Sequence, residues 1–190
     1  MKVLIVDDNP ERARTVMHGL ALAGHECAMH VENALHLPAA VARTVPEVIV
    51  IGADSPTRDT LEHIALTTAG SPRPIVMFVD NDAGDGIRDA IRAGVSAYIV
   101  DGLDAGRIKS IVEVAVARFD QHRALVEELD AARTRLAERP AIERAKGLLM
   151  QRRGLSEEEA YRQLRTLAMQ RQQRLAQVAE QVLAAAELLG

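Results

Sequence analysis

The sequence predicts an α/β domain with a doubly wound, five-stranded parallel sheet, followed by a long helix and a small all-α domain. Short unbroken apolar runs recur through the first hundred residues, as in strands that are buried on both faces. These runs are Lys2–Val6, Val48–Ile51, Ile75–Val79 and the shorter Ala97–Val100, with Glu26–His30 as a fifth, weaker strand. Amphipathic segments of helical length separate them, at Glu11–Ala23, Arg58–Thr68 and Asp85–Ala93. This alternation indicates a parallel sheet with right-handed crossovers.

The last third of the chain has the pattern of three short amphipathic helices. Gly154 follows two arginines and is expected to end the first helix, because glycine adopts positive φ at low cost. Ser156 and Glu159 have the spacing of a capping box, which predicts that the second helix begins directly after Ser156. We place the break before the third helix at residues 170–173, where neither glycine nor proline marks it.

A linker helix is expected to join the two parts of the chain. Its apolar residues repeat with the 4, 3, 4 spacing of a short coiled coil, at Leu125, Leu129, Ala132 and Leu136. This spacing favours a homodimer, and the alternative is a single helix docked on its own α/β domain. Pro140 removes a backbone donor, which predicts a kink or hinge at 139–140 and a new helix beginning at Ala141. The expected domains are residues 1–118, the linker at 119–139 and residues 140–190.

Charge is unevenly distributed along the 190 residues, whose formal net charge is −4. Residues 1–118 contain 11 Arg or Lys against 16 Asp or Glu, a net of −5. Residues 140–190 contain eight against six, a net of +2. A basic helical domain on an otherwise acidic protein is expected to bind a nucleic-acid backbone. The alternative is an ordinary solvated face with surface salt bridges.

Composition excludes several classes of protein. Cys27 is the single cysteine, so no disulfide can form within one chain, and its place in a predicted strand predicts a buried thiol. The six histidines are scattered, and no Gly-rich phosphate loop or Ser/His/Asp spacing indicates an enzyme or a cofactor site. With no signal peptide and no apolar run of ~20 residues, we expect a cytoplasmic protein without a membrane partner. Two Phe, two Tyr and no Trp argue against an aromatic platform for single strands.

Four segments of the last third together resemble the ANTAR domain, the RNA-binding three-helix module of AmiR- and NasR-type transcription antiterminators. They are Ile142–Met150, Ser156–Ala160, Gln163–Met169 and Gln172–Glu180. With its α/β half, the chain is similar to NasT-type regulators of nitrate and nitrite assimilation. The resemblance implies that paired modules bind hairpins in leader mRNA and hold an antiterminator, so that RNA polymerase, an indirect partner, reads through. It further implies control by a partner protein that senses a ligand such as nitrate or nitrite.

Cationic and amide side chains of this module are the candidate RNA contacts. Lys and Arg bind phosphates, and Gln and Arg can also read the edges of loop bases. The candidates are Lys146, Arg165, Arg171, Gln172 and Arg174, with Arg144, Arg152 and Arg153 as second choices.

The α/β half resembles the CheY-like receiver domain of bacterial response regulators. A working receiver needs an acidic pair for Mg²⁺, an Asp that accepts phosphate, a Thr or Ser switch and a Lys. The acidic pair is present as Asp7 and Asp8, for which at most weak Mg²⁺ binding is expected. The phosphoacceptor position is Gly52, the switch position is Val79 and the Lys position is Asp101. None of these three side chains can do its receiver task, which predicts a pseudo-receiver without phosphotransfer.

The sequence leaves alternative interpretations of the phosphoacceptor and of the whole chain's function open. Asp54, two residues past Gly52, is a substitute phosphoacceptor, although a turn at Asp54–Pro56 is the preferred interpretation. The whole chain can also be read as a phosphorylation-dependent or DNA-binding response regulator, or as a protein-interaction module that binds no nucleic acid.

Overall fold

A computed structural model describes residues 1–81 and 86–188. The chain divides into two compact units, Met1–Arg123 and Ala124–Gly190. Among the described residues, no helix has the length and apolar character needed to cross a bilayer.

The first unit is a five-stranded parallel sheet with helices on both faces, as predicted. Its strands lie in the order β2-β1-β3-β4-β5. The elements are β1 (Lys2–Val6), α1 (Pro10–Leu22), β2 (Glu26–Val31), α2 (Leu37–Thr44), β3 (Val48–Ala53), α3 (Arg58–Gly70), β4 (Ile75–Val79), α4 (Gly86–Arg92), β5 (Ala97–Val100) and the start of α5 (Ile108–Arg153). The predicted start of the fourth helix at Asp85 lies outside the described residues.

Each face of the sheet carries its own apolar core. On one face, Leu4, Ile49 and Met77 pack with residues of α2, α3 and α4. On the other, Ile5, Val50 and Phe78 pack with residues of α1 and α5. The central strands are therefore buried on both sides. This burial explains why their sequences are continuous apolar runs and not alternating polar and apolar residues.

The register of the sheet brings the carboxyl ends of three strands together. Val6 of β1 pairs with Ile51 of β3, and Ala53 of β3 pairs with Val79 of β4. The loops that follow β1, β3 and β4 consequently lie side by side. In doubly wound folds this edge is where ligands bind.

The second unit contains the remainder of α5, together with α6 (Glu157–Arg171) and α7 (Leu175–Leu188). Their apolar faces form one core, which includes Ala145, Leu164 and Val178. Gly154 has φ of 66° directly after α5, so the predicted helix stop is confirmed. The predicted capping box is also confirmed, because the Ser156 side chain accepts from the Glu159 amide while the Glu159 carboxylate accepts from the Ser156 amide.

The prediction that Pro140 separates two helices was wrong. Helix α5 continues through Pro140 to Arg153. The proline ring fixes φ at a value that suits a helix. The backbone hydrogen bond that Pro140 cannot donate would have gone to the carbonyl of residue 136. Leu136 is 70% exposed, so water has access to that side of α5. The residues after Pro140 are held by tertiary packing, since Ala141, Ala145 and Leu149 are all buried. That packing outweighs a local cost of about 3 kcal/mol.

The expected burial of Cys27 was also wrong. Cys27 is a free, exposed cysteine on β2, which lies at the edge of the sheet. The strand is mostly exposed or half-buried along its length. Partial burial still raises the pKa of the thiol, so it is not an activated nucleophile.

Candidate functional site

The loop from β1 to α1 fixes the geometry at the carboxyl edge of the sheet. Asn9 caps α1, and its side chain accepts from the amides of Glu11 and Arg12 at 2.9 and 3.2 Å. The Asn9 amide in turn donates to Oδ1 of Asp7 at 2.9 Å. This cap places Arg12 in the first turn of α1, directly beside the end of β1.

Arg12 lies at the centre of four aspartates. Its Nε donates to both carboxylate oxygens of Asp7, at 2.9 and 3.1 Å. Nη1 bonds Asp54 at 2.9 Å and Asp80 at 2.6 Å, and Nη2 bonds Asp8 at 3.2 Å. We call these five residues the Arg12 cluster: Asp7, Asp8, Arg12, Asp54 and Asp80.

Burial within the Arg12 cluster is uneven. The side chains of Arg12 and Asp7 are 4% and 0% exposed, whereas those of Asp8, Asp54 and Asp80 are 74%, 77% and 53% exposed. Burial alone would lower the pKa of Arg12, but its bonds to Asp7 and Asp54 outweigh this and raise the pKa overall. The guanidinium is therefore charged at every physiological pH.

Of the three receiver positions predicted to be degenerate, Gly52 lies directly against this cluster. Gly52 is packed so closely that a Cβ atom built on it would lie 1.8 Å from Oδ2 of Asp7 and 2.7 Å from Nε of Arg12. Val79 is buried in the core. Asp101 is exposed and has φ of 41°, in the left-handed region. Asp54 is not only part of a turn, because its carboxylate is bonded to Arg12.

Sequence reasoning missed Arg12 and Asp80. It identified Asp7, Asp8 and Asp54, but as separate features at strand ends. A usable signal was present, since Arg12 follows Asp8 by four residues at the start of a helix and Asp80 directly follows β4. Asp7 is not a solvated side chain at a strand end, because it is 1% exposed.

In the second unit, Lys146 differs from the other candidate RNA contacts. It is buried to 9% exposure, and its Nζ lies 2.6 Å from Glu157 and 2.9 Å from Glu143. The hydrogen bonds to Glu157 and Glu143 raise the pKa of Lys146, and the same ammonium lowers that of Glu157. Lys146 therefore joins α5 to the start of α6 and has little surface to offer a phosphate.

The remaining first-choice candidates gather at the α6–α7 turn and on α6. Arg171 ends α6, Gln172 has φ of 53°, and Arg174 immediately precedes α7. Arg171 donates to Oε1 of Gln181 at 2.7 Å, and Gln181 donates to Gln173 at 3.1 Å. All of these side chains are exposed. We call this surface the turn surface: Arg171, Gln172, Gln173, Arg174 and Gln181.

Arg165 lies apart from the turn surface, two turns back along α6. It is exposed, and no hydrogen bond or ion pair engages it among the described residues. Tyr161, four residues earlier and thus on the same helix face, is 43% exposed. Sequence reasoning set aromatic contacts aside because aromatic residues are few, and so passed over Tyr161.

The second-choice arginines are exposed and lie on α5. Arg152 donates to the Ala186 carbonyl at 3.2 Å, so it connects α5 to α7. Arg144 and Arg153 have no ion pair among residues 1–81 and 86–188.

Comparison with known proteins agrees with both halves of this architecture. The ANTAR domain model matches residues 130–183. The transcriptional regulatory protein PdtaR of Mycobacterium tuberculosis is 31% identical over 138 residues, which cover 73% of this chain and 67% of that protein. The aliphatic amidase regulator of Pseudomonas aeruginosa is 29% identical over 140 residues, covering 73% and 71% respectively.

Solved structures share the fold of the first unit. The receiver domain of a modulated diguanylate cyclase from Desulfovibrio desulfuricans G20 has a TM-score of 0.56 at 20% identity, covering 64% of this chain and 97% of that one. A CheY-like receiver domain protein from Methanospirillum hungatei JF-1 has a TM-score of 0.55 at 16% identity, with the same coverage. The chain therefore belongs to the ANTAR-domain family of transcriptional regulators that includes PdtaR, with a receiver fold ahead of its ANTAR domain.

Proposed function

We propose that this regulator binds hairpins in leader mRNA through its ANTAR domain and causes transcription antitermination. The observation that carries the proposal is the exposed cluster of cationic and amide side chains at the α6–α7 turn. Arg171 and Arg174 lie within four residues of each other, and Gln172 between them is exposed in a left-handed conformation. Arg174 approaches Glu138 only to 3.8 Å, so its 72% exposed side chain can still reach a phosphate. Such a surface offers charge to phosphates and planar donors to unstacked loop bases.

One further feature supports an RNA surface on this unit, and one of the earlier candidates is withdrawn. Arg165 and Tyr161 present a cation and an aromatic ring on one face of α6, where a flipped-out base can stack. Lys146 is not among the proposed RNA contacts, because Glu143 and Glu157 already neutralise it and it has a structural role. The proposed contacts are thus Arg165, Arg171, Gln172 and Arg174, with Tyr161 added.

Binding is best tested on RNA selected from cells by crosslinking to the full chain, because the leader sequence is then identified together with its downstream genes. On the selected hairpin, Arg171→Ala/Arg174→Ala should weaken binding about tenfold or more, which corresponds to about 1.4 kcal/mol. The dependence of log K on log salt should also become shallower, by about 0.7 for each phosphate that the variant no longer binds.

A control is Arg58→Ala, which removes one positive charge from an 89% exposed side chain of the first unit. Its affinity should equal that of the wild type. Equal affinity of the double variant and the control would remove the turn surface from the RNA interface. Stronger binding to the duplex DNA of the same sequence than to the hairpin would instead favour a DNA-binding regulator.

We further propose that the regulator works as a homodimer joined along α5. Leu125, Leu129 and Leu136 are 58%, 49% and 70% exposed, and with Ala132 they follow the 4, 3, 4 spacing of a coiled-coil seam. A second copy of the same helix is the partner whose apolar spacing matches this seam. Pairing would bring two ANTAR domains to one transcript, which raises their joint affinity.

Control by a ligand-sensing protein, and not by phosphate, completes the proposal. The NasT-like resemblance points to a nitrate or nitrite sensor, and the partner would hold the regulator through differential affinity in its two ligand states. Incubation with acetyl phosphate and Mg²⁺, followed by intact mass measurement, tests the phosphate arm. No added phosphoryl group is expected, whereas a modified Asp54 would restore the phosphorylation-dependent alternative.

A further inference from the structure

We propose that Arg12 is a built-in cation that takes the place of the divalent metal ion at the carboxyl edge of this receiver fold. The inference does not depend on RNA binding. It concerns what neutralises Asp7 and its neighbours, which in a working receiver would hold Mg²⁺.

The position of the guanidinium is that of a bridging cation. It bonds all four carboxylates of the Arg12 cluster at 2.6 to 3.2 Å, contributed by the loops after β1, β3 and β4. A single positive group thus connects three adjacent strand ends, as a bound metal ion would. The planar fork of arginine has five donors and can do this from one fixed position.

The remaining oxygen ligands do not fit Mg²⁺. This ion requires near-octahedral oxygen ligands at about 2.0–2.1 Å. Both oxygens of Asp7 are already bonded to Nε of Arg12, and Gly52 offers no side-chain oxygen. A metal ion at Asp7 would also lie against a buried, permanently charged guanidinium, and this repulsion disfavours its binding.

The space at Gly52 is filled by the same pair. A Cβ atom there would lie 1.8 Å from Oδ2 of Asp7, so the Asp7 carboxylate and the Arg12 side chain fill the volume that any side chain at residue 52 would need. The loss of the phosphoacceptor and the presence of Arg12 are therefore physically linked. A receiver that carries this arginine accommodates only glycine at that position without a rearrangement.

The consequence is a receiver whose carboxyl edge carries its own cation. Four carboxylates and one guanidinium leave a net charge of −3, and the excess lies on Asp8, Asp54 and Asp80, which face solvent. Neither Mg²⁺ nor an acyl phosphate changes this arrangement. The arrangement at this edge is thus independent of both.

The proposal is tested by titrating the full chain with Mn²⁺ and following the electron paramagnetic resonance signal of the free ion. Wild type should bind no stoichiometric Mn²⁺. Arg12→Gln, which removes the charge but keeps much of the stem, should gain one Mn²⁺ site, with affinity at least tenfold above any residual wild-type binding, and should be stabilised by Mg²⁺ in thermal unfolding.

Arg58→Ala is the matched control, because it removes a positive charge outside the Arg12 cluster and should gain no site. Adding Asp7→Asn to Arg12→Gln should abolish the new site. One Mn²⁺ ion bound by wild type would overturn the proposal even if every variant failed to fold. A folded Arg12→Gln protein that binds Mn²⁺ no better than Arg58→Ala would overturn it as well.

Discussion

Substituting Gly52 by alanine tests how tightly the receiver half is built around the Asp7–Arg12 pair. The new Cβ would lie 1.8 Å from Oδ2 and 2.5 Å from Cγ of Asp7. Because non-bonded atoms pack at about 3.5 Å, the carboxylate would have to retreat by roughly 1.5 Å. Such a shift breaks the two bonds from Nε of Arg12, and Asp7 is too buried for water to replace them.

The expected cost follows from the broken bonds. Hydrogen bonds to charged groups contribute about 1.5–3 kcal/mol each, and a buried pair that loses one partner costs about 3–5 kcal/mol. Since Arg12 would keep its bonds to Asp54 and Asp80, we expect Gly52→Ala to destabilise the first unit by about 2–4 kcal/mol. At about 4 °C for each kcal/mol, its Tm should fall by roughly 8–16 °C.

The assay needs a signal from the first unit alone. The two tyrosines lie in different units, Tyr98 on β5 and Tyr161 on α6. In a Tyr161→Phe background, tyrosine fluorescence during urea unfolding therefore reports on the first unit, while circular dichroism reports on both. Hydrogen exchange at β1 and β3 gives an independent measure of the same opening.

Gly70→Ala is the control, since Gly70 ends α3 and a Cβ atom there would meet nothing within 4 Å. Its stability should remain within about 1 kcal/mol of wild type. If Gly52→Ala were as stable as Gly70→Ala, the Asp7 carboxylate could not lie so close to residue 52, and the link between Gly52 and Arg12 would fail.

Three further predictions concern the second unit. Leu129→Asp should convert a dimer to a monomer in light scattering, because a charge in a coiled-coil seam is costly. The control Thr134→Asp adds the same charge at an exposed position on the side of α5 away from the seam and should leave the dimer intact. A monomeric wild type would contradict the proposed seam. Lys146→Gln should lower the thermal stability of the ANTAR domain. Its affinity for the hairpin should be unchanged at temperatures where the domain is folded. A shallower salt dependence of hairpin binding would return Lys146 to the RNA interface. Bonds from Ser156 lower the pKa of Glu159, so its stabilisation is present above the unfolded value of about 4.3 and is lost as pH falls through the folded one. Glu159→Gln keeps an acceptor for the Ser156 amide, and its melting temperature should fall less than that of wild type below about pH 4.3.

Local patterns predicted most of the secondary structure because local physics decides it. Strands buried on both faces need continuous apolar residues, and those of β1, β3 and β4 are visible as such. Gly154 and the Ser156–Glu159 capping box fixed a helix end and a helix start within a few residues. Four of the five candidate RNA residues are exposed as expected, although exposure alone does not make them contacts.

Where tertiary contacts compete with local preference, the predictions failed. Proline disfavours a helix interior, yet packing of Ala141, Ala145 and Leu149 against α6 and α7 keeps α5 continuous through Pro140. Cys27 lies in an apolar-looking strand, but the strand is at an edge of the sheet and its side chain is exposed. From the sequence, Lys146 was predicted to be a cation available for RNA. In the structure, the turn between α5 and α6 brings Glu157, 11 residues later, to the Lys146 ammonium.

The sequence by itself determined that this chain has a parallel α/β half followed by a helical ANTAR domain, and it predicted that the first half lacks the side chains of phosphotransfer. Those features are periodicities, caps and absent functional groups, which depend on neighbours along the chain. Only the tertiary structure decided that Arg12 joins Asp7, Asp8, Asp54 and Asp80, because a parallel sheet brings together strand ends separated by up to 68 residues. Burial gives the contact its energetic importance, because a carboxylate removed from water is costly unless a cation pairs with it. For Asp7, that cation is Arg12 of the same chain.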